Sequence, residues 1–503
     1  MRSATGRLTL NARLPAAIRL ATSSNLNCLV EMNRQTFTWG RSGNRIRKTQ
    51  RWVERMWLLG ILLAALLLFC INLDSLPLLS HEISKTTVAS WQWFYPTVDG
   101  NLNHQQPPLL YWLIVFADKV GGDNEWAIRL PGAILCAFSV PLLYGIGREI
   151  FPSRQSAIFA SLIYLTLLPV VGYGRLAIPD GAALCFVMLA IGCALRSRRD
   201  FRWALGVGIG LGLICLTKGL FLGFLVGAIV CLFLAWDTPR LLTSIYWWIG
   251  LLLGIAPALA WYMAGWLEYG PGFITGVVNQ SFKPLWIAVE GNNGFPWYYG
   301  VELLKFSAPW LLFIPYGLRL AWEHRNWSWA KLVLVWAGVG FVAISLMATK
   351  LPWYILPIYP ALALAAGFQL AEVWNGSIRQ FYPRFWSIGL SLMAVGGVAA
   401  TVYFVFTTAD RSLPVISTSV ALTLAIAAFL VARRDLQFIF ILFWGLYVSL
   451  LLFTTSPHWM WKLPEVTPVE SVDTVLHSGA PTGRSLDLLS LRKPSIDSTD
   501  SPG

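Results

Sequence analysis

Long apolar runs, separated by short polar segments, dominate the sequence between residues 56 and 454. Runs of about 18 or more residues are long enough to cross a bilayer as helices. Counted in this way, the pattern predicts an all-α integral membrane protein with about thirteen transmembrane helices.

Two polar segments flank the apolar runs. Residues 1–55 are rich in Arg, which predicts a cytoplasmic basic tail; a transit peptide, or a true start at Met32, would give the same composition. Residues 455–503 become rich in Ser, Asp and Pro from Gly479 onward. We therefore expect a disordered tail at this end.

Basic clusters between the runs predict the orientation of the helices. Such clusters precede the first run and recur at 196–199 and 433–434. Because basic residues stay on the cytoplasmic side of the cell (inner) membrane, the N-terminus is predicted inside and the C-terminus outside. The outer loops then cover about 74–128 and 266–298. The first is rich in Trp, Tyr and Pro, which favours two interfacial helices above an active cleft.

The composition narrows the class of protein further. Only 13% of the residues are charged, and the net charge of +13 comes mostly from the short clusters that set topology. This distribution argues against nucleic acid as a partner. The seven Cys are isolated and none has Cys-x-x-Cys spacing, so neither a zinc site nor a disulfide framework is predicted.

Four cations break the topology rule, because they lie at predicted outer ends of spans. A cation there needs an anionic partner, and a lipid-linked phosphate with its tail in the bilayer would provide one. Asp180, in the same outer layer, could act as a general base towards an incoming hydroxyl. Simpler roles are also open, namely interfacial lysines, a helix-start anchor, a cap at Asp180, or an ion pair between Arg175 and Asp180. The four cations are Arg129, Arg175, Lys218 and Lys350.

Six short motifs cover these positions. They are Lys350-Leu-Pro-Trp-Tyr354-Ile-Leu-Pro-Ile-Tyr359-Pro360, Pro107-Pro-Leu-Leu-Tyr111-Trp-Leu113, Asn124-Glu-Trp-Ala-Ile-Arg129-Leu-Pro131, Arg175-Leu-Ala-Ile-Pro-Asp180, Leu216-Thr-Lys-Gly219 and Pro296-Trp-Tyr-Tyr299. Together they resemble the bacterial dolichyl-phosphate-mannose-protein mannosyltransferase-like enzymes, which include the aminoarabinose transferases and belong to the GT-C membrane glycosyltransferases. The resemblance covers roughly residues 56–375, in the right order.

The resemblance implies a GT-C bundle, a polyprenyl-phosphate sugar donor and transfer to a lipid, glycan or protein acceptor outside the membrane. It implies donor-phosphate binding by Lys350 and Arg129, and an acidic site residue at Asp180. Lys218, Arg175, Tyr354 and Tyr359 are further candidates for the phosphate, and Glu290, Tyr111 and Trp297 for the substrate loops. A divalent cation is possible as a cofactor, with no ligands assigned.

The chain departs from the family pattern in its first outer loop. The family has an Asp-Glu pair soon after the first span, and here only Asp74 and Glu82 could substitute for it. The family's Glu-Lys-Pro-Pro motif reads Gln105-Gln106-Pro-Pro, and its His in the second outer loop is replaced by Asn292 or Asn293.

Two other functions are therefore kept open. One is a catalytically impaired homologue that still binds the lipid carrier. The other is a transporter, which would favour broken spans with polar residues near the midplane and a repeat between halves.

Overall fold

The computed structural model describes residues 42–78, 82, 97–98, 101–102, 107–122, 124–289, 292, 294–376 and 383–459. The chain divides into two units, Met1–Ile61 and Leu62–Gly503. Most of both predicted tails falls outside the described residues. All of the packing that positions the cleft belongs to the second unit.

The described residues are almost entirely helical, as the apolar pattern predicts, and they form seventeen α-helices joined by short 3-10 turns. The helices are α1 Ser42–Cys70, α2 Leu109–Gly121, α3 Glu125–Ile150, α4 Arg154–Leu165, α5 Leu168–Gly174, α6 Pro179–Ser197, α7 Ala204–Thr217, α8 Leu220–Asp237, α9 Ile245–Tyr269, α10 Pro271–Phe282, α11 Tyr298–Phe306, α12 Ile314–Glu323, α13 Ser328–Leu346, α14 Tyr359–Asn375, α15 Arg384–Thr407, α16 Ser412–Ala432 and α17 Phe438–Thr455.

Most of the about thirteen predicted spans correspond to long apolar helices among the described residues. Within the described residues, ten helices are long and apolar enough to cross a membrane, or eleven if the bent pair α4–α5 is one span. Each of the ten matches a predicted span. The all-α integral membrane class is confirmed.

The three predicted spans that differ are bent, short or interrupted. Helices α4 and α5 meet at an angle of 58°, and Pro169 occupies the first turn of α5, where its missing N–H is tolerated. The helix over Phe201–Thr217 is apolar but has fewer than 18 residues. The run at 298–323 is divided into α11, a turn at Trp310–Leu312 and α12, and α12 also begins with a proline.

The innermost part of the bundle is formed by α3, α4, α6 and α14. In the span that ends with α14, Pro352–Asn375, 89% of the apolar window is buried, against 11% in α15. Helix α14 packs on α4, and α6 packs on α3 and α7. These contacts fix the N-terminal end of α6 and the segment before α14, which form the walls of the cleft.

The first outer loop is described in part. Helix α2 buries Leu110, Tyr111 and Ile114 against Ile128 and Ala177, which ties it to α3 and to the segment before α6. Two short antiparallel strands precede it, in which Thr97 pairs with Leu102 and Val98 with Asn101. One of the two predicted interfacial helices corresponds to α2, and the rest of that prediction lies outside the described residues.

Candidate active site

Two adjoining cavities lie between the starts of α6 and α8, the helix α10 and the segment 349–357. One encloses about 930 Å³ and the other about 1060 Å³, including the parts open to solvent. The first is lined largely by apolar side chains such as Phe221, Leu225 and Val277. The second has a mixed lining, in which polar side chains such as Asn279, Lys283 and Thr349 lie beside apolar ones such as Trp353. Both cavities share the residues Pro107, Asp180, Lys218, Gln280, Pro284 and Tyr354.

An ion pair occupies the boundary between the two cavities. Lys218 Nζ lies 2.6 Å from Asp180 Oδ2, and the side chains are 25% and 8% exposed. The ammonium also lies 5.5 Å from the centre of the Tyr354 ring. Of the described residues that line the cavities, Asp180 is the one carboxylate. The structure thus brings together three of the predicted site residues.

Local sequence places both partners. Pro179 starts α6 and puts Asp180 in its first turn, where a negative charge faces the positive end of the helix dipole. Lys218 follows the last residue of α7, and its backbone N–H donates to Ile214 O. The next residue, Gly219, has φ of 109°, a conformation that favours glycine, and it turns the chain into α8. The ion pair between Arg175 and Asp180, which the sequence left open, is not among the described contacts of either residue.

Lys350 lines neither cavity, although Thr349 and Leu351 on either side of it line the second, and it is 5% exposed. Its Nζ donates to Ser345 O at 2.7 Å and to Ile344 O at 3.3 Å, which satisfies carbonyls at the C-terminal end of α13. The ammonium is also 5.5 Å from the ring of Tyr299. Burial lowers the pKa of Lys350. In this structure it acts as a helix cap, and its binding of a donor phosphate stays a prediction.

Arg129 and Glu82 form a buried pair. Arg129 Nε lies 2.8 Å from Glu82 Oε1, and Nη2 lies 2.7 Å from Oε2. The remaining guanidinium hydrogens go to the carbonyls of Leu73, Leu76 and Pro77. Glu82 Oε1 also accepts from the backbone N–H of Ala177. All five Arg129 donors are engaged with the protein, so the two residues hold the first loop to α3 and to the segment before α6.

Arg175 holds the same region from the other side. It is fully buried, and it donates to the carbonyls of Leu68 and Ile71 at 2.8 and 2.7 Å. Its Nη2 also reaches Thr454 O at 3.4 Å. Burial lowers its pKa to about 9, with the nearby Arg129 charge adding to the shift, so the guanidinium stays charged at neutral pH. The side chain joins the ends of α1 and α17.

The other predicted site residues are scattered. Asp74 is exposed in the turn after α1. Tyr111 and Tyr359 are buried in the protein, and Trp297 is 62% exposed and stacks on Phe295 at 4.6 Å. None of these four lines either cavity, and Glu290 lies outside the described residues.

Sequence reasoning missed the contribution of α10. Gln280, which lines both cavities, and Asn279 and Lys283 come from its C-terminal end. The polar cluster that interrupts an apolar stretch at 279–283 was the available signal.

The donor set of the cleft does not fit a divalent cation within the described residues. Its one carboxylate is already paired with Lys218, and the part of the chain that is described holds no group of three His, Cys, Asp or Glu suited to a metal ion. Metal ions of this kind take several oxygen ligands.

Comparisons with known proteins agree with the motifs. The family model of dolichyl-phosphate-mannose-protein mannosyltransferase matches residues 105–263. An undecaprenyl phosphate-alpha-4-amino-4-deoxy-L-arabinose arabinosyl transferase of Pseudomonas fluorescens is 28% identical over 342 residues, which is 64% of this chain and 61% of the relative. The corresponding enzyme of Aeromonas hydrophila is 28% identical over 346 residues, 65% of this chain and 62% of the relative. The chain thus spans about three fifths of the length of these relatives.

Solved structures show the same fold. The crystal structure of ArnT from Cupriavidus metallidurans bound to undecaprenyl phosphate superposes with a TM-score of 0.67 at 21% identity, covering 80% of this chain and 77% of that chain. The apo structure of the same protein gives 0.65 at 22% identity, covering 81% and 77%. Motifs, relatives and fold therefore agree in their similarity to the polyprenyl-phosphate-sugar-dependent membrane glycosyltransferases, the aminoarabinose transferases among them.

Proposed function

We propose that this protein transfers a sugar from a polyprenyl-phosphate donor to an acceptor hydroxyl on the outer face of the cell (inner) membrane. The acceptor is a lipid, a glycan or a protein. The observation that carries the proposal is the Asp180–Lys218 pair, which lies where a more apolar cavity adjoins a more polar one.

The two cavities match the two halves of such a donor. An isoprenoid chain is apolar and suits walls formed by residues such as Phe221, Leu225 and Val277. Phosphate and sugar need hydrogen-bonding partners, and Asn279, Lys283 and Thr349 provide them on the other side. With the phosphate at the boundary, Lys218 is the cation that lines both cavities.

The reaction follows from these positions. The acceptor oxygen attacks the anomeric carbon of the sugar, and the bond between that carbon and the phosphate oxygen breaks. The acceptor proton passes to the Asp180 carboxylate, and polyprenyl phosphate leaves with the electron pair. Lys218 stabilises the negative charge that grows on the phosphate. When the ammonium turns towards the phosphate, Asp180 loses its counter-ion and becomes a better base.

The relatives support this choice of donor. Their names specify undecaprenyl phosphate aminoarabinose as the donor, and one structure of similar fold holds undecaprenyl phosphate. The orientation predicted from the basic clusters puts Asp180 at the outer side, with the N-terminus in the cytoplasm and the C-terminus outside.

The test is sugar transfer from a synthetic undecaprenyl-phosphate donor by the purified full-length protein, with Asp180→Asn beside Asp237→Asn. Asp237 pairs with Arg198 and Lys331 at the opposite end of α8, about 27 Å from Lys218 at a rise of 1.5 Å per residue. Asp180→Asn should reduce the rate by 10²-fold or more, because general base catalysis contributes about that factor. Asp237→Asn should retain most of it.

Three results would contradict the proposal. Equal loss in both variants would mean that Asp180 only supports the fold. Donor binding without transfer in the wild-type protein would identify an impaired homologue that binds the carrier. Movement of a polyprenyl-phosphate lipid across vesicles without transfer would identify a transporter.

A further inference from the structure

A third cavity lies away from the cleft, towards the opposite end of α6 from Asp180. It is a shallow groove between the C-terminal part of α6 and the start of α7, and its α6 residues Leu189 and Cys193 lie about 14 and 20 Å from Asp180 along the helix, at a rise of 1.5 Å per residue. Its walls are almost wholly apolar. The residues that line it are Leu189, Cys193, Arg202, Trp203, Gly206 and Ile209.

The two helices are in close contact at the base of the groove, and the outer side of the groove is open. A Cβ on Gly206 would lie 2.5 Å from Cys193 Sγ, so the two helices approach closely there because position 206 has no side chain. Trp203 and Ile209 are 42% and 48% exposed and stand at the sides. The groove can therefore accept a chain from the bilayer but cannot close over it.

Positive charge is concentrated at the rim of the groove. The Arg196 guanidinium lies 4.8 Å from the centre of the Trp203 ring, and Arg202 lines the groove itself. Within the described residues neither forms a salt bridge, and Asp200, which lies between them in sequence, accepts from the backbone N–H of Arg202.

The other two cations of the cluster differ in this respect. Arg198 is paired with Asp237 at 3.1 Å, and Arg199 with Glu149 at 3.2 Å. Arg198 and Arg199 therefore each have a carboxylate partner. Arg196 and Arg202, at the groove, have none among the described residues.

We propose that this groove binds an anionic phospholipid of the surrounding bilayer. The headgroup phosphate is held by Arg196 and Arg202, and one acyl chain lies between Leu189, Cys193 and Ile209. A guanidinium binds phosphate through paired N–H donors, and basic residues next to a membrane attract anionic lipids. The position at the end of α6, where a predicted span stops, places the arginines at headgroup level.

Charge and shape together favour this occupant. A neutral lipid would fill the apolar walls and leave two cations without an anion. A soluble anion would satisfy the arginines and leave the apolar groove open. A phospholipid with a net negative headgroup satisfies both.

The test is native mass spectrometry of the full-length protein, after exchange into micelles that contain phosphatidylglycerol or phosphatidylcholine. We expect a retained phosphatidylglycerol and about fivefold weaker retention for each of Arg196→Gln and Arg202→Gln, from the usual contribution of one basic residue near a membrane surface. Ile209→Trp, which fills the groove and keeps both arginines, should also release the lipid. Thermal stability of each variant, measured in detergent alone, separates lost binding from misfolding.

Arg433→Gln is the matched control, because Arg433 also lies just after a span and stacks on an aromatic ring, Phe429 at 4.2 Å, and it does not line the groove. Its lipid retention should equal that of the wild-type protein. The proposal is overturned if phosphatidylcholine is retained equally well, if Arg433→Gln loses as much lipid as Arg196→Gln, or if the groove is covered by a second copy of the chain, seen as a dimer that persists in Arg202→Gln.

Discussion

The four cations at the outer ends of the spans have two kinds of surroundings. Lys218 faces a carboxylate and the boundary between two cavities. The other three, Arg129, Arg175 and Lys350, donate largely to backbone carbonyls. Side chains of the second kind hold the ends of helices and loops in position, since these carbonyls have no partner within a helix. Substitution should therefore affect activity at Lys218 and folding at the others.

Glu82→Gln should destabilise the protein strongly. It removes the negative charge from a pair in which both side chains are 0% exposed, and it leaves the Arg129 guanidinium buried without a counter-ion. Removing one partner of a buried pair costs about 3–5 kcal/mol. The measurement is the thermal unfolding midpoint in detergent, together with the yield of folded protein.

Asp74→Asn is the control for Glu82→Gln, because Asp74 is an exposed acid of the same loop. It should leave the unfolding midpoint within about a degree of the wild type, as surface substitutions away from special contacts usually do. If Glu82→Gln kept its midpoint and lost only transfer activity, Glu82 would return as a catalytic candidate.

At the scale of helices, α7 and α9 are held together by backbone contact. A Cβ on Gly208 would fall on the carbonyl group of Gly250, and one on Gly212 would fall on that of Gly254. Glycines at four-residue spacing let two membrane helices approach closely, and packing of this kind replaces the hydrophobic effect inside a bilayer. The position of Lys218, just after α7, depends on this contact.

Gly212→Ala should therefore separate α7 from α9 and displace Lys218. We expect a large loss of folded protein, and loss of transfer in the part that folds. Gly338→Ala is the matched control, since Gly338 lies within helix α13 and a Cβ there would meet nothing within 4 Å. Size-exclusion profiles in detergent measure the folded fraction. Equal profiles for the two variants would show that the close approach is unnecessary.

The apolar pattern predicted ten helices correctly because the length of an apolar run decides whether it can span a bilayer. It did not predict the breaks at α4–α5 and at 298–323, where prolines divide a run that remains apolar throughout. Hydropathy records how apolar a segment is and carries no information about a bend.

At the scale of the whole molecule, the segment that follows the last described helix, α17, contacts the segment that follows the first, α1. Trp459, which follows α17, is 2% exposed, and its ring lies under the guanidinium groups of Arg175 and Arg129, at 4.5 and 5.5 Å. Its Nε1–H donates to Ser75 Oγ, and Asn72 donates to Thr454 O. The first outer loop therefore depends on residues near the C-terminal end of the described chain.

Trp459→Ala should loosen the first loop although the substitution is over 300 positions away in sequence from Ser75. Loss of a buried Trp side chain costs about 3–5 kcal/mol. Hydrogen exchange of residues 70–78, followed by mass spectrometry, should show faster exchange in the variant. Trp444→Ala is the control, because Trp444 is 68% exposed, and it should leave exchange in this loop unchanged.

The site was predictable only where a residue is unusual by itself. Asp180 and Lys218 were found because charges at outer span ends are rare, and Tyr354 because of its motif. The sequence did not predict the Arg129–Glu82 pair, and the two residues were assigned different roles. They are 47 positions apart, and no local sequence pattern indicates the contact. Partners across a fold follow from packing, which a single sequence does not display.

The hydrogen bond from Arg175 to Thr454 O also affects the order in which the helices and the first loop assemble. The two residues are 279 positions apart in the chain. At roughly 5–20 residues per second, a ribosome needs about a quarter of a minute to a minute to synthesise that interval. During that time the guanidinium groups of Arg129 and Arg175 are inserted without the Trp459 ring beneath them. The first loop therefore reaches its final form only after the last helix has entered the membrane, so a nascent chain that stops early leaves no finished cleft.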